Sequence, residues 1–299
     1  MDRSDSPDSE AAASRLLEGY SLEMTGKDVP ALLDTRPLLP AGTRVNVTFL
    51  GNEDTDMRVS AALAVRESGL VPVPHISARR LGSREELQDF LGRLREIDAI
   101  RHVFAVGGDP AEPLGPYPDA LSVIRSGLLT DYGVKEVSIA GYPEGHPDIA
   151  TAELWRHLED KTRAASDLGL GSVILTQFGF DSDQVVKWIA EVRDRGIHSP
   201  IRVGTPGPAG IKRLLGFARR FGIGANAMIV KKYGFLLTNL VGTAGPDRFV
   251  RDLAERLSGS TSTGDVALHF YAFGGLPATA QWVSERTARS PERGTEQQS

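Results

Sequence analysis

Residues Glu136–Phe178 read EVSIAGYPEGHPDIATAELWRHLEDKTRAASDLGLGSVILTQF. Two short apolar runs, EVSIAGY (Glu136–Tyr142) and SVILTQF (Ser172–Phe178), enclose a segment that reads as helix. Both runs are more continuously apolar than alternating, which is the pattern of parallel strands covered on both faces. Strand, helix and strand in that order make a βαβ unit, and parallel neighbours need such a crossover.

Working outward, the same unit recurs along the chain. Further strand candidates are Tyr20–Met24 (YSLEM), Arg44–Phe49 (RVNVTF), Leu70–Ile76 (LVPVPHI), His102–Val106 (HVFAV), Pro200–Thr205 (PIRVGT) and Val266–Phe273 (VALHFYAF). Helical signals stand between them. Ser83-Arg84-Glu85-Glu86 is a capping box, followed by Leu87, Phe90, Leu91 and Leu94 on one stripe. Asp183 opens a second helix, with Val185, Val186, Ile189 and Val192 inside and Gly196 as its stop. Pro246 suits the first turn of a third, before Phe249, Val250, Leu253 and Leu257, and Gly259 ends that run. Strand then helix, repeated around, predicts a (β/α)8 TIM barrel of the α/β class. The long gap before the last strand is expected to hold an additional helix around Ala225–Leu240. The expected organisation is one catalytic barrel domain over 16–286, with disordered tails at 1–15 and 287–299 whose polar composition cannot repay ordering entropy.

The chain has 299 residues, with 34 Lys+Arg against 39 Asp+Glu, a net charge of −5. That balance argues against a general nucleic-acid binder, which needs a basic surface. With no cysteine there is no disulfide, no thiolate metal site and no cysteine nucleophile. The acidic N-terminus does not read as a signal peptide, and Lys231 and Lys232 interrupt the most apolar late stretch, so no membrane span is expected. A cytoplasmic protein, monomeric or a small homo-oligomer, is expected. Walker A, GxGxxG after a strand, HExxH and GxSxG motifs are missing, and the scattered histidines suggest no metal site.

In a barrel of this type the reactive groups gather at the C-terminal strand ends. Polar residues fall there: Glu23, Thr48, His75, Asp109 after Gly107-Gly108, Tyr142 with His146, Gln177 and Tyr271. Each also has a plain structural reading. Asp109 suits a turn, His75 a hydrogen-bonded core position, Gln177 a backbone contact, and Tyr142 and His146 the packing of a proline-stiffened loop. The glycine-rich run Gly204–Gly210 follows the seventh strand and opens a helix, where barrels often bind phosphate.

The motifs AGYPEGHP (140–147), LTQF (175–178), RHVFAVGGD (101–109) and LHFY (268–271), with weaker pieces Val47-Thr48-Phe49 and Pro74-His75-Ile76, resemble the methylenetetrahydrofolate reductase family in order and strand position. The resemblance runs through most of the barrel. It implies reduction of 5,10-methylenetetrahydrofolate to 5-methyltetrahydrofolate with NADH or NADPH, usually through FAD, in the one-carbon metabolism that serves methionine biosynthesis. It implies Glu23 as general acid, Asp109 beside the pterin, Gln177 on the pterin edge, Phe217 and Tyr271 at the substrate, and Phe217 also beside the nicotinamide. Thr48, His75, Tyr142 and His146 match flavin-side positions.

The flavin side departs from the family pattern. Gly107 stands where the family has arginine, Ala164 and Ala165 align with a basic pair, and Gly274 and Gly275 replace an arginine after the last strand. A pyrophosphate needs cations or amide donors, so these changes weaken FAD binding. Three readings stay open: a reductase in which the hydride passes directly from NAD(P)H to the folate, an FAD enzyme with altered contacts, and a folate-binding or methyltransferase protein with no redox role.

Overall fold

The structure, a computed structural model, describes residues 7–51, 53–210, 213–216, 243–258 and 263–288. Eight parallel strands close a barrel: β1 (Ser21–Met24), β2 (Arg44–Val47), β3 (Val71–Ser77), β4 (His102–Val106), β5 (Glu136–Gly141), β6 (Gly171–Thr176), β7 (Ile201–Pro206) and β8 (Val266–Tyr271). They pair in chain order, and β8 pairs with β1 to complete the ring. Each expected strand is present, with ends shifted by a few residues.

The helices that cover the barrel are α2 (Val29–Thr35), α3 (Thr55–Glu67), α4 (Arg84–Glu96), α5 (Ala120–Arg125), α6 (Leu128–Asp131), α7 (Thr151–Asp167), α8 (Ser182–Asp194), α9 (Asp247–Ser258) and α10 (Leu276–Ala288). Strand side chains alternate between the two faces. Leu22 and Met24 of β1 point to the helices and are 0% and 1% exposed, while Ser21 and Glu23 turn into the barrel. On α4 the Ser83 hydroxyl accepts from Glu86 N–H at 3.1 Å, and the apolar stripe is buried. The Glu86 carboxylate reaches one residue further back than a capping box requires, to Gly82 N–H at 2.7 Å. Helix α8 starts one residue before Asp183, because Asp181 is the cap and accepts from Asp183 and Gln184 N–H. Gly196 follows it with φ +74°, a conformation glycine adopts freely.

The expected N-terminal tail is corrected: Pro7–Leu17 is a helix, α1, packed against α9 and β8. Its alanines favour helix, and Ala12, Leu16 and Leu17 are buried. Three apolar contacts in a polar segment are enough to dock it once the barrel supplies the other surface. At the barrel floor Glu136 joins Arg44 (2.5 Å) and His102 (3.2 Å), linking β2, β4 and β5. Burial alone would raise the Glu136 pKa, but hydrogen bonds from His102 and Arg44 bring it to about 2. The helix expected around Ala225–Leu240 lies outside the described residues. No helix among the described residues is long and apolar enough to cross a membrane.

Candidate active site

The C-terminal strand ends surround a cavity of about 240 Å³. Glu23, Thr48, His75, Tyr142, Gln177 and Tyr271 all line it, so six residues at or just past the ends of six strands share one space. Its walls include Phe49, Phe104, Leu175 and Phe273, which sequence reading did not single out because isolated apolar residues at strand ends look like core.

Glu23 is open to the cavity on one side and packed by protein on the others. Burial, helped by the nearby Asp28 carboxylate, pushes its pKa up to about 8. Asp28 is held in place, since Thr25 N–H and its hydroxyl both donate to Asp28 Oδ2 at 2.8 Å. A carboxyl with this pKa is largely protonated at neutral pH and can donate to a basic atom in the cavity.

Below Glu23 lies a layer of buried polar groups. His269 Nδ1 is 2.8 Å from Ser21 Oγ, and the residue is fully buried. His75 Nε2 is 3.3 Å from Asn46 Nδ2. Burial lowers both imidazoles to about 3, with the Arg58 charge adding to the effect on His75 and His75 adding to that on His269. Both are therefore neutral near pH 7. Sequence reading quoted His269 only within a motif; a histidine at an inward strand position was the available signal. Tyr271 is held well above its ordinary pKa by burial, then by the charges of Glu23 and Tyr142. Tyr142 is raised by burial alone.

Gln177 has its Oε1 accepting from Phe178 N–H at 3.1 Å, which orients the amide and leaves Nε2 as the free donor end. His146 does not line the cavity: its ring meets Tyr142 edge-on at 5.4 Å, and its Nδ1 accepts from Asp148 N–H. That matches the loop-packing reading. Asp109 is also outside the lining, at the rim, with its side chain 69% exposed and paired to Arg80 at 2.5 Å. The glycine turn carries it outward past the end of β4. Phe217 lies outside the described residues.

In the glycine-rich run Gly204–Gly210, Gly204 and Gly207 are close-packed while Gly210 has open space beside it. A Cβ on Gly204 would come within 2.4 Å of the Thr176 carbonyl oxygen, and one on Gly207 within 2.2 Å of Thr279 Oγ1. Ala209–Gly210 pairs antiparallel with Thr243–Ala244, and residues 213–216 just beyond it are helical. Gly274 likewise has no room for a side chain, since its Cβ would meet the Pro208 carbonyl oxygen at 1.8 Å.

Ala164 and Ala165 lie in the last turn of α7, which runs from the mouth towards the floor, and are 6% and 0% exposed. A cation at either position would disturb the core rather than reach a group in the mouth. Among the described residues the cavity lining contains neither lysine nor arginine. FAD carries a diphosphate that needs cations or amide donors, and the described lining supplies no cation for it. Among the described residues no cluster of histidine and carboxylate could hold a metal ion.

The family model for methylenetetrahydrofolate reductase matches residues 25–223. The chain is 31% identical over 156 residues to "Methylenetetrahydrofolate reductase (NADH) 1" of Arabidopsis thaliana, covering 46% of this chain and 25% of that protein. It is 30% identical over 178 residues to "5,10-methylenetetrahydrofolate reductase" of Pectobacterium carotovorum subsp. carotovorum, covering 58% of this chain and 57% of that one. The match thus spans a quarter of the plant protein and just over half of the bacterial one. Among solved structures, the fold matches that of an uncharacterized protein from Clostridium thermocellum described as binding two copies of 5-methyl-5,6,7,8-tetrahydrofolic acid. That match has a TM-score of 0.56 at 12% identity and covers 92% of this chain and 98% of that one.

Proposed function

The chain belongs to the methylenetetrahydrofolate reductase family, and from that premise we propose that it reduces 5,10-methylenetetrahydrofolate to 5-methyltetrahydrofolate by direct hydride transfer from NADH or NADPH. One observation carries the reading. The cavity combines a carboxyl that is protonated at neutral pH with a described lining that has no cation for a resident dinucleotide.

The chemistry needs a proton and a hydride. Glu23 gives its proton to N10 of the folate, the N10–CH2 bond breaks, and a 5-iminium cation forms. The hydride from the reduced nicotinamide then adds to the iminium carbon, giving the methyl group and the oxidised nicotinamide. The iminium is electrophilic enough to accept hydride without an intervening flavin. Neutral His75 in the cavity lining and neutral His269 beneath it add no positive charge that would oppose the cation. Asp109, at the rim, is proposed to stabilise that cation electrostatically, and Gln177 to bond the pterin edge. The nicotinamide nucleotide is a co-substrate that leaves each turn, so loose contacts to its diphosphate suit it in a way they do not suit FAD.

The experiment is a steady-state assay on protein as purified, with its absorbance spectrum recorded first. A colourless protein should oxidise NADH only when methylenetetrahydrofolate is present, and added FAD should not raise the rate. A stoichiometric flavin spectrum would favour the FAD enzyme. NADH oxidation that ignores the folate would sink the reductase reading.

A further inference from the structure

The short turn Ala78–Arg80 after β3 carries two neighbouring arginines that reach into the loop between β4 and α5. Arg79 fastens that loop. Its N–H donates to the Gly107 carbonyl at 2.9 Å, and its carbonyl accepts from Leu114 N–H at 2.9 Å. Its Nε donates to the Pro118 carbonyl at 2.8 Å and its Nη1 to the Pro110 carbonyl at 3.3 Å. Arg80 engages the residue in the middle of the same loop. Its Nε and Nη2 converge on Asp109 Oδ1 at 3.0 and 2.5 Å.

Arg80 also touches the cavity wall. Its guanidinium carbon is 5.8 Å from the ring centroid of Phe49, and a Cβ on Gly51 would come within 2.6 Å of its Nη1. One guanidinium therefore joins the loops after β2, β3 and β4 at the mouth. An exposed ion pair adds little to folding stability. A two-pronged donor anchored against three loops does, however, fix where a carboxylate stands. Asp109 needs that help, because it follows Gly107 and Gly108, the latter at φ +93°, and its side chain is mostly exposed.

We propose that Arg80 is a positioning residue that holds the Asp109 carboxylate at the edge of the cavity for the reacting folate. Both donors use Oδ1, so Oδ2 remains to face the cation. A charge accelerates a reaction only when it is already in position as charge develops. The inference rests on the folate reading of the site and adds to it a residue outside the cavity lining.

The test is a double-mutant cycle in the full-length chain with Arg80→Gln, Asp109→Asn and the pair, read as kcat, KM for methylenetetrahydrofolate and Tm. Arg80→Gln should lower kcat about tenfold or more, as misplacement of a catalytic group does. Its Tm should stay within about 2 °C of the parent, as for a surface pair. In the Asp109→Asn background Arg80→Gln should cost nothing further. Normal kcat in Arg80→Gln beside a slow Asp109→Asn, or losses that multiply in the pair, would overturn the proposal and leave the folate reading intact. Normal turnover in Asp109→Asn would remove both the proposal and the role given to Asp109. If Arg80→Gln does not fold, Arg80→Lys carries the same test. It keeps the charge and loses the fork, so it should show a smaller kcat loss that again vanishes in the Asp109→Asn background; a loss that persists there overturns the proposal.

Discussion

The Tyr271 hydroxyl donates to the main-chain carbonyl of Thr176 at 3.0 Å, tying β8 to β6 across the strand between them. It passes over Gly204 of β7, whose N–H donates to Thr176 Oγ1 at 2.8 Å. The space is available only because Gly204 has no side chain. A Cβ there would meet Tyr271 Cε2 at 2.8 Å and the Thr176 carbonyl oxygen at 2.4 Å. Leu22 pairs with Phe270, so Tyr271 and Glu23 follow at the next step of adjacent strands. The bridge thus sets the wall against which the proposed acid stands.

Gly204→Ala should therefore act as overpacking and cost about 1–3 kcal/mol of stability. Tyr271→Phe removes only the hydroxyl and should cost about 1 kcal/mol for the lost hydrogen bond. Chemical denaturation of the two variants measures both. Equal stability of Gly204→Ala and the parent would show that the strand end has slack the structure does not display.

The proposed acid carries a pH signature. Burial raises the Glu23 pKa to about 8, so the protonated form predominates below that pH. Turnover should fall as pH rises through about 8, and Glu23→Gln should lose roughly 10²-fold or more at neutral pH. The stability effect has a related sign. A carboxyl whose pKa is higher folded than unfolded contributes stability fully present below about 4.5 and lost as pH rises through about 8. Glu23→Gln should hence remove part of the fall in Tm between about pH 4.5 and 8. An unchanged pH–rate limb in Glu23→Gln would mean another group donates the proton.

Gln177→Ala removes the amide whose Nε2 end is left for a ligand. Unpaired polar atoms on the pterin should then weaken folate binding by about 1–3 kcal/mol, with a smaller effect on kcat. Equilibrium binding of 5-methyltetrahydrofolate to parent and variant checks this. Unaltered affinity would remove Gln177 from the binding site.

Beneath the cavity His269 is fully buried and neutral, with its pKa lowered to about 3. A histidine with a depressed folded pKa contributes stability present above about 6.5 and lost as pH falls through that value towards about 3. Each pH unit in that window is worth on the order of 1 kcal/mol for one such group. His269→Gln should lower stability at pH 7 through lost packing, yet lose less than the parent between pH 6.5 and 4.5. Parallel acid profiles for the two proteins would contradict the buried neutral assignment.

The barrel was legible because its strands are continuous apolar runs and its helices carry stripes, signals that survive without any neighbour. Glu23, Thr48, His75, Tyr142, Gln177 and Tyr271 were legible for a related reason: strand ends in a barrel converge, whatever the loops do. What lay beyond reach depended on direction and partners. Asp109 leaves the cavity because Gly107 and Gly108 turn the chain outward, and the partner that catches it, Arg80, belongs to a different loop. Ala164 and Ala165 occupy aligned positions, but only the course of α7 puts them at the floor. Pro7–Leu17 looks like a tail by composition and becomes a helix because α9 and β8 offer it a surface.

Direct transfer of hydride from the nicotinamide to the folate can be followed through the fate of the transferred hydrogen. The purified protein would be given NADH deuterated at the transferring C4 position, with methylenetetrahydrofolate in ordinary water, and the methyl group of the product read by mass spectrometry. Direct transfer predicts one deuterium in the methyl group for each NADH oxidised. A product methyl carrying only protium, as expected if the hydride rests on a flavin nitrogen that exchanges with water, would contradict it.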